Sequence, residues 1–114
     1  MTDVVNRPWG TYETILESDN YKVKRIVVKP NSQLSLQSHK YRSEHWIIVS
    51  GNGIVLLNDE KIEVFKDDNI YIKNGDKHRM SNNSSDDLVF IEVQNGDYLG
   101  EDDIVRYEDD YGRM

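Results

Sequence analysis

Residues 46–65 read Trp46-Ile47-Ile48-Val49-Ser50-Gly51-Asn52-Gly53-Ile54-Val55-Leu56-Leu57-Asn58-Asp59-Glu60-Lys61-Ile62-Glu63-Val64-Phe65. One apolar run closes on Ser50-Gly51-Asn52-Gly53, a second closes on Asn58-Asp59-Glu60, and a third alternates apolar with charged side chains. Runs this short, rich in Ile and Val and bounded by Gly, Asn and Asp, are strands and not helices. The two glycines predict a tight hairpin at residues 50–53.

The same pattern extends in both directions. On the amino-terminal side Tyr21–Val28 (YKVKRIVV) alternates apolar and basic residues before becoming solidly apolar, as in a strand with one solvated face that then enters a core. It stops at Lys29-Pro30-Asn31, and Leu34 and Leu36 then alternate with polar residues up to His39. On the carboxy-terminal side Asn69–Ile72 and residues 88–93 are further runs, separated by residues 66–68, by Asn74-Gly75 and by the polar loop 81–87. Strands at such regular spacing predict an all-β antiparallel sandwich or barrel. Residues 101–105 are the one place where a single helical turn is expected.

Composition bounds the function. With 114 residues the chain is one small domain. A core of that size does not enclose a large cofactor, which disfavours dinucleotide and P-loop enzymes. Fourteen Lys and Arg against 21 Asp and Glu give a net charge of -7, which argues against nucleic acid as a partner. Most of that charge lies in residues 97–114, where seven acidic residues face Arg106 and Arg113; the barrel core, residues 20–96 or so, is nearly balanced. There is no Cys, so disulfides, thiolate metal sites and Cys nucleophiles are excluded. No stretch reaches the roughly 20 apolar residues of a membrane span, and the first residues lack a secretory pattern, so a cytoplasmic protein without a membrane partner is expected.

The chemistry-bearing residues are few. The three histidines are His39, His45 and His78. On an extended strand Gln37, His39 and Tyr41 share one face, Glu44 follows beyond a bend, and Asn74-Gly75 turns the chain back ahead of His78. Two imidazoles and a carboxylate, with or without a phenolate, suit Zn, Fe, Mn or Ni. A strand histidine serves equally as a hydrogen-bonded core or surface residue, and spacing alone leaves both readings open.

A longer set of motifs decides between them. Pro30 precedes His39, Tyr41, Glu44 and Gly51, and a second motif reads Lys73-x-Gly75-x-x-His78-x-x-x-Asn82. Around these stand Arg7-Pro8-Trp9-Gly10, residues 24–30 (KRIVVKP), Leu34-Ser35-Leu36-Gln37, Arg42, Glu44-His45-Trp46, residues 91–94 (IEVQ), residues 98–106 (YLGEDDIVR) and Asp110-Tyr111-Gly112-Arg113. In these stretches the chain resembles the cupin domain of type II mannose-6-phosphate isomerases, usually the carboxy-terminal part of bifunctional guanylyltransferase/isomerase proteins of GDP-mannose biosynthesis.

The resemblance implies a single cupin domain over residues 1–114, a double-stranded β-helix or jelly-roll barrel. It implies a metal-dependent isomerase interconverting mannose-6-phosphate and fructose-6-phosphate through a cis-enediol. His39, Glu44 and His78 would hold the metal, with Zn first and Fe, Mn, Ni or Co as alternatives. Tyr41 stands where most of the family has a second metal His, and is a fourth ligand, a donor to substrate, or barrel filling. Lys73 replaces the usual Pro and alters only a turn. Glu92 is the expected base and Arg42 the expected grip on phosphate or enediolate. Gln37, Arg79, Gln94 and Arg106 are expected at the sugar phosphate, with Lys24 as a further cation. Trp9 and Trp46 read as core or dimer anchors and His45 as structural. A stand-alone chain without guanylyltransferase activity is expected, as a homodimer that hides its sheet edges. The rival readings are a non-catalytic sugar or sugar-phosphate binding cupin and a cupin enzyme of another class, an epimerase or a dioxygenase.

Overall fold

Alternation along three neighbouring strands builds the interior of the barrel. In the computed structural model, which describes residues 3–111, twelve strands run in chain order. They are β1 (Val4–Arg7), β2 (Gly10–Glu17), β3 (Tyr21–Val28), β4 (Ser32–Gln33), β5 (Leu36–Ser38) and β6 (Arg42–Ser50). Then follow β7 (Gly53–Leu57), β8 (Glu60–Val64), β9 (Asn69–Ile72), β10 (His78–Asn82), β11 (Leu88–Gly96) and β12 (Val105–Glu108). One sheet has the order β1-β2-β3-β11-β6-β9, the other β12-β5-β10-β7-β8, with β4 pairing β10. Every pairing is antiparallel, and the chain crosses repeatedly from one sheet to the other, the winding of a double-stranded β-helix. None of the described residues forms a helix long and apolar enough to cross a membrane.

Within the first sheet the inward side chains lie in rungs. Val28 pairs with Leu88; Ile26, Phe90 and Ile48 form the next row; Lys24, Glu92 and Trp46 follow; Lys22, Gln94 and Glu44 come last. One end of the barrel is therefore apolar and the other polar, on the same strand faces. The apolar end packs Val28, Ile48, Val55, Met80, Leu88 and Phe90, each 1% exposed or less. Truncating Phe90 to Ala there costs about 3–5 kcal/mol.

Several local expectations change. The alternation of β3 places its lysines inward: Lys22 and Lys24 are buried, while Tyr21 and Arg25 face outward. Residues 50–53 are not a hairpin, because β6 and β7 belong to different sheets. Gly51, at φ 82°, turns the chain from one sheet to the other, and an added Cβ would meet the Asp87 backbone. The two-residue hairpin is instead Asn58-Asp59, joining β7 to β8 with Asn58 at φ 53°. Residues 101–105 do not make a helical turn; a tight turn closed by Asp103 N–H donating to Gly100 O leads straight into β12. Strands β1, β2 and β12 carry both sheets beyond residues 20–96. Gly112 and Arg113 of the last motif lie outside the described residues.

Candidate metal centre

The polar end of the barrel is assembled from four elements. β6 supplies Arg42 and Glu44, β10 supplies His78, β11 supplies Glu92, and His39 stands in the bend after β5. His39, Glu44 and His78 are 4%, 1% and 2% exposed and offer ligand atoms that all lie within 4.8 Å of one another. The Lys73 turn aims His78: Asp76 accepts from Lys73 N–H at 3.0 Å, a bond that the Pro usual at this position lacks, and Gly75 takes φ 85°.

The donor chemistry of this cluster fits a divalent metal. His39 Nδ1 donates to Asp103 O at 2.7 Å and His78 Nδ1 to Asp76 O at 3.0 Å. Carbonyls only accept, so both rings hold the tautomer whose Nε2 lone pair is free and turned toward Glu44. His39 Nε2 is 3.2 Å from Glu44 Oε2, and His78 Nε2 is 4.0 Å from Glu44 Oε1. Lone pairs this close to a carboxylate call for a cation between them. Arg42 supplies part of it, with Nη2 at 2.9 Å from Glu44 Oε2 and 3.2 Å from His39 Nε2. Burial, helped by the neighbouring Arg42 and His78, brings the His39 pKa down to about 4, so the ring is the neutral ligand form. Burial works to raise the Glu44 pKa, but His78, Arg42 and His39 together hold it well below the ordinary carboxylate range.

Glu92 is the contrasting carboxylate. Burial first, and then Glu44, push its pKa up to about 8. Trp46 Nε1–H is shared between Glu44 Oε1 at 2.8 Å and Glu92 Oε1 at 3.1 Å, tying the two groups together. Gln94 Nε2 donates to Glu92 Oε2 at 2.7 Å, and Gln94 Oε1 has no partner. Rotating this amide would offer an acceptor to a protonated Glu92, so Gln94 can serve both states.

Other residues fall where sequence did not put them. Tyr41 is not in the cluster. It is 49% exposed, its ring meets Tyr98 edge-on at 6.0 Å, and Lys40 Nζ lies 5.2 Å from its centroid. The cause is Asp103, whose carboxylate accepts from Lys40 N–H at 2.8 Å and Tyr41 N–H at 2.9 Å; the resulting bend breaks the alternation that would have aligned Tyr41 with His39. Gln94 is fully buried behind Glu92 and does not line the cavity. Gln37, Arg79 and Arg106 do line it. Arg79 is engaged by Leu34 O at 2.8 Å and Glu108 O at 3.2 Å, whereas Arg106 Nε is buried with no partner. Gln37 Nε2 donates to Ser35 Oγ at 3.2 Å.

Trp46 and Asp103 are the site residues that sequence reasoning missed. Trp46 and Trp9 both belong to the apolar core and also line the cavity. His45 points outward and stacks on Tyr71 at 4.5 Å. Most acidic residues of 97–110 are exposed, but Asp103 is 8% exposed and Glu101 reaches back to Lys24.

Comparison with known proteins agrees with this geometry. A cupin-2 domain protein from Rhodospirillum rubrum superposes with a TM-score of 0.77 at 16% identity, over 90% of this chain and 78% of that one, and shares the fold. The xanthan biosynthesis protein XanB of Xanthomonas campestris pv. campestris (strain B100) is 51% identical over 96% of this chain, and the mannose-1-phosphate guanylyltransferase ManC of Salmonella typhimurium is 46% identical over the same share. The chain spans 23% of the length of each of these two relatives. The family described as "Mannose-6-phosphate isomerase C-terminal" matches residues 1–109. With its cupin barrel and its His39, Glu44 and His78 cluster, the chain belongs to the mannose-6-phosphate isomerase C-terminal family.

Proposed function

We propose that the chain is a metal-dependent aldose–ketose isomerase acting on mannose-6-phosphate and fructose-6-phosphate. The observation that carries this reading is the pair of buried carboxylates tied by one indole: Glu44 held ionised among the histidines, Glu92 held near neutrality beside it. Two carboxylates whose environments drive their pKa values apart divide the labour between binding a cation and moving a proton.

His39, Glu44 and His78 would hold the metal, with Zn first among Zn, Fe, Mn, Ni and Co because neutral imidazole with carboxylate suits it. Three protein ligands around an open cavity are the pattern of a catalytic centre. When bound, the metal supplies a Lewis acid that polarises the sugar carbonyl. The remaining work belongs to the chain. Glu92 takes the proton from C2 of the open-chain aldose as O1 gains one, giving a cis-enediol, and then delivers a proton to C1 as the O2 hydroxyl gives up its own. The pKa of Glu92, raised to about 8 by burial and by Glu44, makes it a stronger base than an ordinary carboxylate and leaves its conjugate acid ready to give the proton back. Trp46 and Gln94 fix the carboxyl in place. Arg42, buried against Glu44, faces the developing oxyanion. Arg7, Lys24, Arg42, Arg79 and Arg106 line the cavity against Glu44, Glu92 and Glu101, a positive excess that suits a phosphate group within a chain of net charge -7.

A second copy of the chain is the proposed partner. Ile47 and Val49 of β6 and Tyr71 of β9 lie exposed at 47%, 44% and 48% on the outer face of the first sheet, an apolar surface that a homodimer would cover.

Metal analysis with a coupled assay tests the reading. Purified protein should carry a divalent metal and convert mannose-6-phosphate to fructose-6-phosphate, with both properties lost in His78→Ala and Glu44→Ala. Thermal stabilisation by the sugar phosphate without turnover would favour the binding cupin instead.

A further inference from the structure

The two buried lysines of β3 take no part in the proton transfer itself. Lys22 and Lys24 are 7% and 5% exposed. A buried ammonium is costly unless an anion or a set of acceptors meets it. Lys22 is met by Leu99 O at 3.1 Å, with Glu17 at 3.7 Å and Glu101 at 3.6 Å. Lys24 lies 4.5 Å from the Tyr12 ring centroid, and its Nζ meets Glu101 Oε1 at 2.5 Å.

Glu101 differs from the other two carboxylates of the cavity. Glu44 is locked by Arg42, Trp46 and the histidines, and Glu92 by Trp46 and Gln94. The Glu101 side chain is 56% exposed and comes from the turn between β11 and β12. A carboxylate on a turn, open to water on one side, can leave a lysine that cannot. The ion pair joins a buried cation to a half-exposed anion.

We propose that Lys24, backed by Lys22, is an anion seat that the Glu101 carboxylate fills in this structure and that the phosphate of the substrate takes over by displacing Glu101. This deepens the isomerase reading and rests on it for the identity of the sugar. A phosphate brings up to two negative charges and three free oxygens where the carboxylate brings one charge and two oxygens, and lysine binds phosphate as a point charge. Arg42 acts on the same place, since it joins Lys24 and Lys22 in holding the Glu101 pKa down against burial. Arg106, whose buried Nε has no partner, lines the same cavity and is available to the displaced or incoming anion. Lys24 pairs across the sheet with Glu92, so a phosphate seated on it lies in the same cavity as the proposed base. The role of Glu101 is then to keep the seat charge-balanced and to set how much negative charge a ligand needs in order to enter.

Calorimetric titration of inorganic phosphate, and separately of mannose, tests this on the wild-type chain, Glu101→Gln and Lys24→Met with chelator present. Glu101→Gln should bind phosphate about two- to fivefold more tightly than wild type, the range of a partly exposed ion pair. Lys24→Met should lose phosphate binding, and mannose affinity should be the same in wild type and Glu101→Gln. Phosphate affinity in Glu101→Gln equal to or weaker than wild type would overturn the proposal, as would an equal gain for mannose, which would mean that the cavity had merely opened. If Lys24→Met fails to fold, Glu101→Gln decides alone, because its amide keeps a hydrogen bond to Lys24. Tighter phosphate binding in a protein inert toward the sugar phosphates would leave the seat standing and remove the isomerase. An active isomerase with unchanged phosphate affinity in Glu101→Gln would do the reverse.

Discussion

Asp103 holds His39 twice over: its carbonyl accepts the ring Nδ1–H at 2.7 Å, and its carboxylate accepts the two backbone N–H groups of Lys40 and Tyr41 that follow His39. The carbonyl sets the tautomer and the carboxylate sets the bend that turns the ring inward. Second partners of this kind are worth about 10- to 100-fold in metal affinity. Asp103→Ala keeps the backbone carbonyl but removes the carboxylate that sets the bend, so it should weaken metal binding by misaiming the ring, by up to about 10-fold. It should also cost about 1–3 kcal/mol of stability by orphaning two partly buried N–H groups. Competition with a chromogenic chelator and a thermal melt measure the two effects. Wild-type metal affinity in the variant would show that the bend holds without Asp103.

Tyr41 makes the opposite prediction. Because its ring lies outside on Tyr98, Tyr41→Ala should keep metal content unchanged and isomerase activity within about twofold, the range of a surface change. Metal analysis of the purified variant decides, and loss of the metal would return the phenol to the site.

Glu92 sets activity against stability. Its pKa rises from an ordinary 4.5 to about 8 on folding, so the folded chain binds a proton more tightly than the unfolded one. The contribution of this group to stability is fully present below about 4.5 and is lost as pH rises through about 8. In Glu92→Gln that loss is removed, and a rotated Gln94 can accept from the new amide. The chelator-treated variant should thus melt higher than wild type at pH 8, with the gap closing toward pH 5, while isomerase turnover falls about 10²- to 10⁴-fold. A variant that melts lower at pH 8 would mean that Glu92 is ionised and structurally required.

The outer face of the first sheet predicts the assembly. Ile47→Glu places a charge in the exposed apolar strip of β6. Sedimentation should show wild-type dimers and variant monomers with unchanged far-ultraviolet circular dichroism. A monomeric wild type would leave that face without the proposed partner.

Short-range pattern carried most of the strand positions, because each depends on a few neighbouring residues, whereas the three residues of the metal cluster were legible only through the longer motifs of the family resemblance. Destination was harder to read. Ser50-Gly51-Asn52-Gly53 has the same composition whether it reverses a strand or carries the chain to the other sheet, and the outcome is set by which partner β7 finds, here β10 and β8. The face of β3 was misread because alternation fixes which residues share a side and not which side is inside. Basic residues point inward only where the barrel interior is itself polar, as at the Lys24, Glu92, Trp46 rung. Tyr41 was misplaced for a long-range reason, since the bend that expels it is held by Asp103, more than 60 residues away in sequence. The spacing of Asp103 from the metal motif carries no signal within one sequence. Trp46 was readable as core, but its indole N–H between two carboxylates required the register of β6 against β11.

The central claim is that Glu92 moves a proton between adjacent carbons of a hexose phosphate beside a metal held by His39, Glu44 and His78. Incubating the metal-loaded protein with mannose-6-phosphate in deuterium oxide and following the sugar by nuclear magnetic resonance tests it most directly. The account predicts fructose-6-phosphate formed by wild type and not by Glu92→Gln, carrying deuterium at C1 to the extent that the proton on Glu92 exchanges with solvent before its return. A folded, metal-loaded protein that leaves both hexose phosphates unchanged and undeuterated would contradict it.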